Sequence, residues 1–130
     1  MIVVDASALL EVLLHTPAAA AVEARLFDAG ETLHAPHLID VEVAQALRRV
    51  ALAGRLDPAR GRTALGIVAD LSLRRYPHIE LLPRVWELRN SVTAYDAVYV
   101  ALAEMLDAPL VTRDRRLANA AGHQARIELV

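Results

Sequence analysis

The chain of 130 residues contains no cysteine and no lysine, and only 4% of its residues are aromatic. Without cysteine, disulfides and thiolate metal sites are excluded, and a reducing cytoplasm is the expected location. No apolar run has the length of a membrane span, and Asp5 interrupts the apolar start of the chain before it could form a signal peptide. We therefore expect a protein with an aliphatic core and no contact with a membrane.

A strong basic charge is also missing. The formal net charge is −2, from 14 basic and 16 acidic residues, which taken alone argues against a nucleic-acid-binding protein. The basic side chains other than histidine are all arginines, and one of their clusters comprises Arg113, Arg115 and Arg116. A cation bound by several carboxylates would make the working charge more positive. The alternative is that the arginines simply solvate helix faces.

Short apolar runs alternate with longer helical patterns along the chain, whose length suits one domain spanning residues 1–130. The predicted strands are 2–4, 32–35, 79–82, 110–112 and 127–129. The predicted helices are 8–14, 18–28, 38–52, 57–74, 84–89, 93–106 and 115–121. This alternation predicts an α/β fold of three layers, α/β/α, with a central and mostly parallel sheet.

Four acids stand at the ends of these elements. Asp5 directly follows the first strand, and Asp114 comes just after the strand 110–112. Asp96 and Glu42 lie in the first turns of two helices. Because ligands of open parallel sheets bind beyond the carboxyl ends of the strands, the four side chains could meet there.

Such a meeting is unfavourable unless a cation is bound. Two carboxylates about 4 Å apart repel by roughly 4 kcal/mol at an effective dielectric constant near 20. Mg²⁺ removes this repulsion, prefers oxygen ligands and keeps several bound waters. A metal held in this way can activate water and stabilise the leaving oxygen in phosphodiester hydrolysis. The acids therefore indicate a metal-dependent hydrolase of phosphodiesters.

Each acid also has a purely structural interpretation. Asp5 and Asp114 could cap the helices that follow them. Asp96 could complete a capping box with Thr93, and Glu42 could be a solvated helix residue. Capping alone does not explain why two of these acids both end strands.

Four segments carry a resemblance to a known family: residues 3–9, 36–43, 93–103 and 110–117. They resemble, in order and at suitable spacing, the four motif blocks of PIN-domain proteins, and most closely those of the VapC toxins of bacterial toxin–antitoxin pairs. The resemblance covers essentially the whole chain. It implies cleavage of RNA with Mg²⁺ or Mn²⁺, a homodimer, and a cognate antitoxin that covers the site.

The resemblance also implies roles for individual residues. The metal-binding and catalytic acids would be Asp5, Glu42 (rather than Asp40), Asp96 and Asp114. Ser7 and Thr112 would support them, with local backbone capping as their alternative. Some family members carry a further acid after the fourth, where this chain has Arg115 and Arg116. We expect these two and Arg113 to contact substrate phosphate, with antitoxin contact or solvation as alternatives.

Other functions fit the residues less well. Receiver domains and haloacid-dehalogenase-type phosphatases generally use a lysine, which is missing here, and a dinucleotide site needs a glycine-rich turn after the first strand. The five histidines show no metal-binding spacing. Trp86 is expected in the core or in a dimer contact rather than as a platform for RNA bases. The remaining alternative is an RNA-binding or interaction domain of the same fold with little catalytic activity.

Overall fold

A computed structural model describes all 130 residues. Five strands form one sheet in the order β3-β2-β1-β4-β5, and all four pairings are parallel. The strands are β1 (Ile2–Val4), β2 (Leu33–Pro36), β3 (Leu73–Tyr76), β4 (Leu110–Thr112) and β5 (Ile127–Leu129). This confirms the predicted parallel sheet and places β1 at its centre.

Seven helices connect and cover the strands. They are α1 (Ala6–Leu13), α2 (Ala19–Leu26), α3 (Leu38–Leu52), α4 (Pro58–Asp70), α5 (Leu82–Glu87), α6 (Ala94–Leu106) and α7 (Arg115–Ala118). From β1 the chain adds β2 and then β3 on one side of the sheet, and it later returns to add β4 and β5 on the other side of β1. The strand order therefore reverses between β1 and β4. In parallel sheets this switch point is where a ligand site forms.

The core follows from the aliphatic composition. β1 and β4 are buried along their whole length, as strands covered on both faces should be. Helix α6 is buried from Ala97 to Ala103 without interruption, and it packs against β1, β2 and β4. A helix that is apolar on all sides belongs in the interior. The packing of α6 therefore fixes the position of its first turn, which contains Asp96.

The segment around β3 differs from the prediction. The strand predicted at 79–82 is wrong: Ile79–Leu81 is a 3₁₀ turn, and α5 begins at Leu82 with Pro83 in its first turn, where proline is tolerated. The helix predicted to reach residue 74 ends at Asp70, and β3 follows it. β3 pairs only with β2, so its polar side chains can face solvent and the alternating apolar pattern of a strand is missing.

Trp86 is not a core residue. It is 69% exposed on α5, and the guanidinium carbon of Arg89 lies 5.0 Å from the centre of its ring. The first alternative for Trp86, a place in the core, is therefore wrong, and a dimer contact stays a prediction. None of the helices combines the length and the apolar character needed to cross a bilayer.

Candidate active site

Asp5 is held at the carboxyl end of β1 by three hydrogen bonds. Its Oδ1 accepts from the Ser7 hydroxyl at 2.6 Å and from the Ala8 amide at 3.1 Å, and its Oδ2 accepts from the Thr112 hydroxyl at 2.6 Å. The residue is only 7% exposed. Burial raises the pKa of Asp5, the three hydrogen bonds oppose that rise, and the nearby charge of Asp96 adds to it.

Ser7 and Thr112 connect this carboxylate to the turn after β4. Each hydroxyl donates its single proton to Asp5. Each also accepts from a backbone amide, Ser7 from Arg113 at 2.9 Å and Thr112 from Asp114 at 2.9 Å. The two hydroxyls therefore both cap the local backbone and orient Asp5, so the two interpretations offered by the sequence are compatible.

Glu42 approaches from α3. Its Oε2 accepts a hydrogen bond of 2.8 Å from the Tyr99 hydroxyl, which belongs to the buried helix α6. Burial raises the pKa of Glu42, and the charges of Asp5 and Asp96 raise it further against the effect of the tyrosine. Asp40 instead forms a two-bond ion pair with Arg75, at 2.8 and 2.9 Å, on the β3 side.

Sequence reasoning gave Tyr99 no role. Tyr99 lies three residues after Asp96 and so on the same side of α6, and this spacing could have indicated that Tyr99 faces the acids. Burial and the neighbouring carboxylates raise the pKa of Tyr99, so its hydroxyl remains a donor to Glu42. Tyr99 thus fixes the position of one acid from the helix that carries another.

Asp96 and Asp114 complete the group. Thr93 caps α6 by accepting from the Asp96 amide at 3.2 Å, and burial followed by the charge of Asp114 raises the pKa of Asp96. Asp114 caps α7 through the amides of Arg116 and Leu117, at 2.8 and 3.4 Å. Capping is therefore real at these positions, and it fixes the acids at one edge of the sheet.

One cavity of about 620 Å³ joins these elements. Its polar lining includes Ser7, Glu42, Gln45, Arg49, Thr93, Tyr95, Asp96, Asp114 and Arg116. Asp5 influences this lining through charge, because it raises the pKa of Glu42. The structure therefore places Glu42, Asp96 and Asp114 in one cavity, with Asp5 near enough to raise the pKa of Glu42.

The donor set fits a hard divalent cation. Carboxylate oxygens are the ligands that Mg²⁺ and Mn²⁺ prefer. Burial is the largest cause of the raised pKa values of Asp5, Glu42 and Asp96, and the charges of neighbouring carboxylates add to it, so a bound cation would offset both effects. No three acidic or histidine side chains lie close enough together in the structure to form a ready-made metal-binding group. Their final approach to an ion would therefore involve side-chain movement.

The three arginines after β4 point to different places. The Arg113 guanidinium pairs with Glu11 at 3.3 Å and donates to the Val130 carbonyl, so it is directed away from the cavity. Arg115 is exposed, and Arg116 lines the cavity with its guanidinium 3.6 Å from Asp114. Arg49 on α3 also lines the cavity, although its sequence position gave it no role.

Comparison with known proteins identifies the family of the chain. The family model of the PIN domain matches residues 2–123. The chain belongs to the PIN-domain family. This PIN domain is 48% identical to the ribonuclease VapC9 of Mycobacterium tuberculosis over all 130 residues, which span 98% of that protein. The resemblance inferred from the four sequence segments is confirmed.

Solved structures share the fold of this PIN domain. PAE2754 from Pyrobaculum aerophilum superposes with a TM-score of 0.69 at 31% identity, over 96% of this chain and 81% of that one. VapBC2 from Rickettsia felis, solved with a DNA fragment from the promoter of its own genes, superposes with a TM-score of 0.70 at 15% identity, over 99% and 98% of the two chains. The second likeness is one of fold alone.

Proposed function

We propose that this PIN-domain protein is an Mg²⁺- or Mn²⁺-dependent endoribonuclease and the toxin of a VapBC-type toxin–antitoxin pair. The observation that carries the proposal is the convergence of Asp5, Glu42, Asp96 and Asp114, from four separate elements, at the switch point of the sheet. The 48% identity to VapC9 over the full chain supports the same activity, because the name of that protein describes a ribonuclease.

The four acids would hold the divalent ion, and the ion would supply a polarised phosphate and an activated water. The chain itself arranges the ligands. Ser7 and Thr112 orient the Asp5 carboxylate and oppose the rise of its pKa, and the Tyr99 hydroxyl positions Glu42. Buried helix α6 fixes the backbone that carries Asp96 and Tyr99, so only side chains need to adjust to an ion.

Positive charge for the substrate comes from the cavity wall. Arg116 and Arg49 line the same cavity as three of the acids, and a guanidinium fork suits phosphate oxygens. The Arg116 side chain is 93% exposed, so it is free to leave Asp114 for a phosphate group. Arg113 takes no part in this proposal, because Glu11 and Val130 occupy its guanidinium.

The proposal extends to the partners and the domain. The substrate is RNA, a cognate antitoxin covers the acidic cavity, the active form is a homodimer, and the protein acts in the cytoplasm. The VapBC2 structure, whose name denotes a toxin–antitoxin pair, supports the antitoxin. β1 and β5 lie near the two ends of the chain within one sheet, which supports a single domain of residues 1–130.

The test is cleavage of bacterial total RNA by the purified protein, with Mg²⁺ or Mn²⁺ and then with EDTA. We expect discrete cleavage products that EDTA abolishes. Asp5→Asn keeps the shape of the side chain but removes its charge, and cleavage should fall by more than roughly 100-fold, the upper range for the loss of an outer-shell partner of a metal site. Asp70→Asn, which changes an exposed acid at the end of α4, serves as the matched control.

Three results would contradict the proposal. Cleavage that persists in EDTA would remove the metal dependence, and full activity of Asp5→Asn would remove Asp5 from the site. Tight binding of RNA without cleavage under any divalent ion would favour the alternative of a catalytically weak RNA-binding domain. Growth arrest on expression of the wild type, but not of Asp5→Asn, tests the role as a toxin.

A further inference from the structure

A second cavity, of about 470 Å³, lies beside the acidic one. Eight residues line it, of which two are hydrophobic: Arg89, Asn90, Ser91, Val92, Thr93, Asp96, Arg116 and Leu117. Small-ligand pockets usually measure about 300–1,000 Å³, so a nucleotide fits the available space. The polar lining suits a ligand with phosphate, hydroxyl and base-edge groups better than an apolar side chain of a protein partner.

The two cavities share a wall. Thr93, Asp96 and Arg116 line both of them. A strand of RNA whose phosphate binds to the divalent ion held by the acids would therefore pass from one cavity directly into the other.

Arg89 brings an available positive charge to this cavity. None of the ion pairs of the structure includes it, whereas its neighbour Arg84 is engaged by both Glu104 and Glu87. The guanidinium of Arg89 lies over the exposed ring of Trp86 and donates to the Trp86 carbonyl at 2.9 Å. An arginine held by an aromatic ring is oriented without being neutralised, which leaves its remaining donors for an anion.

We infer that the second cavity is a subsite for the nucleotide next to the cleaved phosphodiester. Arg89 binds the phosphate of that nucleotide, and Asn90 and Ser91 face its ribose or base. This inference rests on the proposed function, because it assigns a further contact to the same RNA strand. It also gives Trp86 a role at the edge of the RNA path, where sequence reasoning expected a core or dimer contact.

Binding of a fluorescein-labelled, short single-stranded RNA of mixed sequence tests the subsite. Fluorescence anisotropy is measured with Ca²⁺ in place of Mg²⁺, and a gel shows that the RNA stays intact. Arg89→Ala should weaken binding on the order of tenfold, as expected for the loss of a hydrogen bond to a charged group. It should also reduce the slope of log K against log salt by about 0.7, the value for one phosphate contact in a single strand.

Matched variants separate a local contact from a general charge effect. Arg89→Lys keeps the charge without the fork and should fall between the wild type and Arg89→Ala. Arg126 precedes β5 and pairs with Asp107, which precedes β4, so both lie at the amino ends of the strands, opposite the acids. Arg126→Ala should therefore leave the affinity and the salt slope unchanged. Trp86 is the only tryptophan of the chain, so its emission should change with the same apparent Kd as the anisotropy.

The outcomes are distinct. If Arg89→Ala binds RNA as Arg126→Ala does, or if RNA binds without any change in Trp86 emission, the subsite is overturned while the proposed ribonuclease is not. If the wild type neither binds the probe nor cleaves total RNA, both proposals fail together. Weakened binding with a reduced salt slope in Arg89→Ala alone supports the subsite.

Discussion

Helix α6 carries two half-buried carboxylates and surrounds them in opposite ways. Glu104, near its end, receives two bonds from the Arg84 guanidinium at 2.7 and 3.0 Å and one from the Gln124 amide, and this pairing lowers its pKa. Asp96, near its start, is partly buried and lies near Asp114, and both effects raise its pKa. The same helix thus holds one carboxylate that the fold neutralises and one that it leaves short of positive charge.

The paired carboxylate, Glu104, stabilises the fold, and the unpaired one, Asp96, remains available for a ligand. A carboxylate with its own arginine contributes to the fold and cannot easily bind anything else. A carboxylate supported by hydroxyl groups, as Asp5 is by Ser7 and Thr112, keeps its charge available for a cation. Raised pKa values in a cavity are typical of functional sites for this reason.

Among the following variants, the largest effect on the cleavage rate is expected at Thr112, whose hydroxyl supports the Asp5 carboxylate. Thr112→Val removes the donor to Asp5 without a change in volume, so cleavage should fall by about 10–100-fold, the range for outer-shell partners of metal sites. The loss of a hydrogen bond that lowers the pKa of Asp5 should also move the acid limb of the pH–rate profile to higher pH. Rates measured across the pH range check both.

Two controls accompany this variant. Thr112→Ser keeps the hydroxyl and should recover most of the activity, and Thr63→Val removes a hydroxyl on exposed α4 that bonds only to the Ala59 carbonyl. Wild-type rates in Thr112→Val would show that hydroxyl support is not what distinguishes the site.

A smaller effect, on stability rather than on cleavage, is expected at Glu104, the carboxylate that Arg84 neutralises. Arg84→Met leaves Glu104 half-buried without its cation, so the free energy of unfolding should fall by about 1–3 kcal/mol while cleavage stays unchanged. Urea denaturation and the RNA cleavage assay measure the two quantities. Arg62→Met, at an exposed position of α4, is the control. If Arg84→Met lost activity but not stability, the assignment of the Arg84–Glu104 pair to stability would be contradicted.

The smallest effect concerns pH and the divalent ion. The pKa values of Asp5, Glu42 and Asp96 are raised in the fold, so these groups destabilise it once ionised. Their contribution to stability is complete below the ordinary carboxyl pKa values and is lost as the pH rises through the raised ones. Without a divalent ion, Asp96→Asn should therefore melt no lower than the wild type at neutral pH.

The advantage of Asp96→Asn should shrink as the pH falls, because protonation removes the same repulsion from the wild type. Added Mg²⁺ should reverse the order by stabilising the wild type more. Asp70→Asn should show neither trend in the same thermal melts. A wild type that melts higher than Asp96→Asn at neutral pH in EDTA would contradict the repulsion.

The prediction of the fold succeeded where local signals were strong. α3 and β4 begin and end at the predicted residues, and α6 begins one residue after its predicted start because Thr93 is its N-cap. It failed at β3, because the helical pattern assigns its first two residues, Leu73 and Arg74, to the end of the preceding helix. A strand at the edge of the sheet is specified mainly by its partner, since Leu33 pairs with Leu73 across a long separation in the chain.

By itself, the sequence determined the alternation of strands and helices and the positions of four acids at their ends. Periodicity, capping and the carboxyl ends of strands are local properties, so they can be read without the fold. Only the tertiary structure decided that Tyr99 bonds to Glu42, that Arg113 is directed to Glu11, and that a second cavity adjoins the first. These features depend on contacts between residues far apart in the chain, and their energies exist only once the core has brought those residues together.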